Sequence, residues 1–197
     1  MNHLAHALLA GDDDGLRLGA MLGDFVRGPT ESLPFLPSVR CGIRLHRAID
    51  VHTDAHLEVL AAKALPPPPY RRYAGILLDM WFDHCLARDF SHWSRQPLAE
   101  FSEQLRILLH EHHDELPSSL QRFVSYMDAN NLPAGYADPA VLGRALTGIG
   151  QRLTRANPLA SAVPVLVKWE AELQGSFEAF FPELQGFARQ WVDARGG

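Results

Sequence analysis

Cysteine is scarce in this chain. Cys41 and Cys85 are the only two among 197 residues, and no CxxC motif is formed, so neither a disulfide framework nor a closed thiolate metal site is expected. No apolar run approaches the length needed to cross a bilayer, and the opening residues Met1-Asn2-His3-Leu4-Ala5-His6 carry no basic segment of the kind a secretory signal needs. The expectation is therefore a cytoplasmic protein with no membrane association. Positive charge is not in excess either. A formal net charge of −5 argues against a broadly basic nucleic-acid binder and leaves room only for local basic patches. No segment alternates polar and apolar residues with period two, and no internal repeat is present, which excludes strands and solenoids. P-loop, GxSxG and an activated-cysteine context are all missing.

What remains is an ordinary globular composition, 47% hydrophobic and 21% charged, sufficient for one domain spanning residues 1–197. Helical patterning fills it. A short helix over 2–10 places His3 and His6 at i,i+3, and Asp14 is positioned to cap a second helix over 16–26, which ends before Gly28-Pro29. Gly19 and Gly23 lie four apart on that helix, a spacing that lets another backbone approach closely at about 1 kcal/mol each in helix propensity. A third helix is expected over 38–64, a stiff bend at Pro66–Pro69, and a fourth helix over 70–90. Beyond Pro97 the chain reads as scaffold, with helices over 98–113, 117–131, 139–155 and 161–192. Pro182 is expected to break or kink the last of these. The histidines His110, His112 and His113 sit at the polar end of their helix, where cationic character is favoured. The fold class expected is all-α.

The chemistry concentrates in three places. Asp24 stands in the apolar context Leu22-Gly23-Asp24-Phe25-Val26, where a carboxylate is costly unless paired or ligating. The stretch from Gly42 to Asp54 carries His46, Asp50, Thr53 and Asp54. At 100° per residue, Asp50 lies about 40° from His46, Thr53 about 20° to the other side and Asp54 about 80° away, so one face holds an imidazole, a hydroxyl and carboxylates. A His packed against the core with an Asp partner is the plainer alternative for that face. The third place is Asp79-Met80-Trp81-Phe82-Asp83-His84. Adjacent helical residues point about 100° apart, so Asp83 and His84 can share one ion only at an irregularity. Otherwise one binds and the other supports it.

Together, His6, Asp24, His46, Asp50, Asp79, Asp83 and His84 form an imidazole and carboxylate set without thiolate, which suits Mn²⁺, Mg²⁺, Fe or Zn²⁺. Such an ion activates water and neutralises charge on a phosphoryl group. Arg44 and Arg47 could hold a phosphate's other oxygens. Metal-assisted phosphoester hydrolysis is the reaction class these residues support.

Four blocks, Asn2-His3-Leu4-Ala5-His6, Gly19–Phe25, Gly42–Asp50 with Thr53-Asp54, and Asp79–His84, make the chain resemble the acyl carrier protein phosphodiesterases. Weaker matches occur near Gly148, Arg152 and Phe177–Pro182. His3 departs from the pattern, standing where an aromatic residue is expected, and so does Leu57, where a proline often follows the histidine. The resemblance implies a single-domain helical bundle related to the HD-domain phosphohydrolases, and dependence on Mn²⁺. It also implies hydrolysis of the phosphodiester that links 4′-phosphopantetheine to serine in holo-acyl carrier protein. Carried onto this chain, it assigns His6, Asp24, His46, Asp83 and His84 to metal, with Asp50, Asp54 and Asp79 as supports or general base. Because HD families present His-Asp, the order Asp83-His84 leaves open which of the two ligates. Since acyl carrier proteins are acidic, Arg40, Arg44 and Arg47 with Arg71 and Arg72 form a candidate docking surface. An HD-type hydrolase of a nucleotide or other small phosphoester is the alternative reading, and a non-catalytic helical module whose acids and histidines are structural is a third.

Overall fold

A computed structural model describes residues 1–195. Eleven α-helices and no strand occur among them: α1 (His3–Leu9), α2 (Asp14–Leu22), α3 (Pro37–Ala55), α4 (Leu57–Lys63), α5 (Ala74–Arg88), α6 (Phe90–Trp93), α7 (Leu98–Glu111), α8 (Ser118–Asn130), α9 (Pro139–Arg152), α10 (Val163–Val167) and α11 (Glu170–Asp193). The all-α expectation holds. None of these helices is long and apolar enough to cross a membrane.

The core is built around α5 and α11. Trp81, Phe82, Phe177, Phe180 and Phe181 are fully buried, and the Phe82 and Phe177 rings lie 5.4 Å apart. Their apolar area excluded from water is the main stabilising term. The α5 segment that reads as apolar on nearly every side is buried on nearly every side.

Several boundaries differ from the sequence pattern, each for a local reason. Asp13, not Asp14, caps α2, its carboxylate accepting from the Leu16 N–H at 2.8 Å. The helix expected over 38–64 is two helices. His56 takes an extended conformation, ψ 135°, and its Nδ1 accepts from the Glu58 N–H to begin α4. Histidine in mid-pattern carries none of the signal that Pro or Gly would. The helix expected over 161–192 is also split, between α10 and α11, whereas Pro182 lies inside an uninterrupted α11. Asn131, at φ 52°, ends α8 in the left-handed region that asparagine tolerates.

Helices α2 and α3 approach unusually closely. A Cβ on Gly19 would fall 2.1 Å from the Val39 carbonyl oxygen and 2.7 Å from the Gly42 Cα, and one on Gly42 would fall 2.3 Å from the Leu16 oxygen. Backbone has no rotamer with which to move aside. Gly19→Ala is therefore expected to destabilise the protein by about 1–3 kcal/mol or more despite its better helix propensity. A urea unfolding midpoint at or above that of the wild type would contradict the close crossing.

Candidate active site

The α2–α3 crossing places His46. Its buried ring lies over Gly23, where a Cβ would fall 2.2 Å from the imidazole Cγ. Nδ1 lies 2.8 Å from the Ala20 carbonyl oxygen and donates to it, which turns Nε2 towards α1 and the link between α2 and α3. On α1, His6 stacks on His46 with ring centroids 3.7 Å apart and planes 15° from parallel.

Both rings address the same carboxylate. His6 Nε2 lies 3.1 Å from Asp50 Oδ1, and His46 Nε2 lies 3.2 Å from Asp50 Oδ2 and 3.4 Å from Asp24 Oδ1. The imidazoles are buried, while the Asp50 and Asp24 side chains are 39% and 55% exposed. The cluster is thus sealed on its nitrogen side and open on its oxygen side.

The electrostatics follow from this placement. With Nδ1–H committed to Ala20, a neutral His46 would aim the Nε2 lone pair at two carboxylates, and only a positive charge relieves that conflict. Burial opposes protonation of His46, but the bonds to Asp24 and Asp50 outweigh it and raise its pKa to about 9. His6 moves the other way, lowered by burial and by the neighbouring His46. Its Nδ1 is buried without a hydrogen-bond partner. Asp24 is held low by its bond with His46. Burial works against the charge of Asp50, and the two histidines overcome it to hold its pKa low as well.

A divalent cation fits this arrangement. His6, His46 and Asp50 each offer a ligand atom, and these atoms all lie within 4.8 Å of one another, with Asp24 at the edge. Nitrogen and oxygen donors without sulfur suit the harder divalent ions. The carbonyl bond at His46 Nδ1 is the kind of support that orients a ligating imidazole.

The other residues singled out in the sequence lie apart from that cluster. Asp83 is fully buried, and its two oxygens accept from the Leu4 and Ala5 N–H groups at 2.8 and 3.2 Å. It caps α1, whose own N-cap residue, Asn2, makes no side-chain capping bond. Burial raises its pKa to about 7 against the pull of those N–H groups. His84 points its Nδ1 at the Tyr136 carbonyl, 2.8 Å away. Neither supplies an atom to the cluster of His6, His46 and Asp50, and each has a structural partner of its own. Asp79 binds the Met1 ammonium at 2.9 Å, and the same ammonium lies 3.7 Å from Asp50. Asp54 pairs with Lys63.

The arginine stripe meets the link between α2 and α3 and stays partly exposed. Arg40 and Arg44 meet the Glu31 carbonyl and carboxylate at 3.1 and 3.5 Å, and Arg47 donates to the Gly28 and Val26 carbonyls at 2.8 and 3.4 Å. Arg47 therefore braces the segment that carries Asp24. Arg71 is tied to the Pro66 and Ala64 carbonyls, and Arg72 is exposed. His3 keeps an aromatic role, its ring 4.4 Å from Phe123 and 6.1 Å from Phe25.

An all-helical frame carrying a half-open histidine and carboxylate centre is the class of protein that fold and site define. A family model described as acyl carrier protein phosphodiesterase matches residues 1–184. Curated relatives carrying that name cover nearly the whole chain. The one from Serratia proteamaculans (strain 568) is 33% identical over 193 residues, covering 96% of this chain and 98% of the relative. The one from Escherichia coli O157:H7 is 36% identical over 200 residues, with 95% and 97% covered. No solved structure matches significantly. The chain belongs to the acyl carrier protein phosphodiesterase family, and it is a hydrolase acting on a phosphodiester.

Gly23 is the site position whose role the sequence left unread. Its spacing from Gly19 announces a close approach, but what approaches is the His46 ring. Gly23→Ala should displace that ring and lower activity at least tenfold, while Gly19→Ala acts first on stability. Comparing specific activity with melting temperature for the two variants checks the distinction.

Proposed function

We propose that this protein hydrolyses the phosphodiester between 4′-phosphopantetheine and serine in holo-acyl carrier protein, releasing the arm and apo-carrier protein, with a divalent ion, Mn²⁺ first among candidates, held by His6, His46, Asp50 and Asp24. Family membership supports the substrate. The observation that carries the metal is the convergence of two imidazole nitrogens and two carboxylates on one half-open point, with His46 Nε2 left in need of a positive partner.

When bound, such an ion lowers the pKa of water and offsets the charge that builds on the phosphoryl group. The chain's own residues do the rest. Ala20 fixes the orientation of His46, and His6 stacks behind it and excludes water from the nitrogen side. Asp24, ionised and half-exposed at the mouth, is placed to orient a water and accept its proton. Arg47 keeps Asp24 in register through the Gly28 and Val26 carbonyls. Asp79, a second half-exposed carboxylate, holds the Met1 ammonium that also lies 3.7 Å from Asp50. Arg40, Arg44, Arg71 and Arg72 offer local positive charge to an acidic carrier protein, against a net charge of −5.

Incubation of holo-acyl carrier protein with the protein and Mn²⁺ should remove the phosphopantetheine mass, and Asp50→Ala should slow this by about a hundredfold or more. If the carrier-protein mass is unchanged with every divalent ion tried, the substrate reading is wrong, and nucleotides become the next substrates to assay.

Metal and proton compete for His46 Nε2. Because the pKa of His46 is raised to about 9, binding an ion below that pH displaces one proton. Affinity for Mn²⁺ should then rise by about tenfold per pH unit towards pH 9 and level off above it. Calorimetric titrations at several pH values, in buffers of different ionisation enthalpy, measure the proton released. A pH-independent affinity would remove His46 from the ligand set.

A further inference from the structure

A second cavity begins where the cluster ends. Asp24, which lies 3.4 Å from His46 Nε2, also forms part of the wall of a pocket of about 540 Å³ between the α2–α3 link, α8 and α9. That volume falls within the range of about 300–1,000 Å³ typical of sites for small organic ligands.

Its lining is amphipathic in an ordered way. Phe25, Phe123, Ala145 and Ile149 give it apolar walls. Arg122 and Arg152 border it, and among the described residues neither is engaged in a salt bridge or side-chain hydrogen bond of the kind that ties down Arg40, Arg44, Arg47 and Arg71. The Tyr126 hydroxyl, another lining group, is buried and lacks any hydrogen-bond partner. A buried hydroxyl in that state is costly and calls for a polar group from a ligand.

We propose that this pocket holds the 4′-phosphopantetheine arm of the substrate. Arg152 and Arg122 serve the phosphate, the aromatic and aliphatic walls take the methyl-bearing chain, and the Tyr126 hydroxyl meets one of its amides. The assignment rests on the reading of the substrate given above. The chemistry matches the lining: an anionic phosphodiester needs guanidinium, and a chain of amides and methylenes needs mostly apolar walls with few polar contacts. One glycine opens onto the pocket. Gly148, on α9, lines it, and a Cβ there would meet nothing within 4 Å. Unlike Gly19, Gly23 and Gly42, it opens onto free space rather than onto backbone or a ring. The same residue and Tyr126 also border a neighbouring cavity of about 570 Å³.

The test exploits that open space. In Gly148→Phe the Cβ meets no atom within 4 Å and the helix gains propensity, so the melting temperature should be unchanged or higher. Calorimetric titration of 4′-phosphopantetheine in Mn²⁺ buffer should show binding weakened at least tenfold in Gly148→Phe and about tenfold in Arg152→Ala. The KM for holo-acyl carrier protein should rise in parallel. If Gly148→Phe binds the arm and turns over holo-carrier protein as the wild type does, the pocket assignment is overturned while the activity stands. If the wild type binds the arm, with Gly148→Phe weakened, yet leaves holo-carrier protein intact, the pocket stands and the substrate reading falls.

Discussion

Where α2 crosses α3, two glycines bring backbone against backbone, and one turn further on a third glycine admits an imidazole. Gly19 and Gly42 set the distance between the helices, and Gly23 makes space for the His46 ring. The Ala20 carbonyl then fixes that ring by its Nδ1 proton. Everything in the candidate centre depends on this crossing, because His46 is buried and can reach Asp24, Asp50 and His6 together only if α3 lies that close to α2. A methyl group at any of the three glycines would have to displace main chain or the ring itself.

The centre is also an arrangement of opposed charges under partial burial. Two carboxylates are kept ionised by two imidazoles, one of which is driven towards its charged form and the other away from it. Such a cluster is satisfied by a proton at His46 Nε2. Half-exposed oxygens on one side and sealed nitrogens on the other leave the cluster open where Asp24 lines the neighbouring cavity. Asp24 belongs to both the cluster and the cavity wall, and Arg47 holds the segment on which it stands.

Buried Asp83 shows how a strong sequence signal can have an architectural answer. A carboxylate and a histidine in an apolar helix invite a metal, and burying them does require a partner. For Asp83 that partner is the N-terminus of α1, whose first turn has unpaired N–H groups and no capping side chain of its own. By tying α1 to α5, Asp83 also sets the height at which His6 stacks on His46. Its contribution to the centre is thus made through the backbone.

Periodicity and composition were sufficient to determine an all-α protein, most of its helices, and the helix face that carries His46 and Asp50, because these depend on residue spacing along one helix. The i,i+4 relation of His46 and Asp50 is a local fact of 3.6-residue geometry, and the apolar surroundings of Asp24 are visible in its immediate neighbours. Tertiary structure alone decided the partners. It placed Asp83 and His84 outside the cluster, brought in Asp50 as the carboxylate shared by both imidazoles, and turned the arginine stripe onto the α2–α3 link. Those outcomes rest on contacts between residues well separated in the chain, such as His6 with Asp50 and Ala5 with Asp83. The end of α3 at His56 is a local matter, settled by the bond between His56 and the Glu58 N–H. Spacing along a helix states which residues share a face, whereas the packing of helices decides what that face meets.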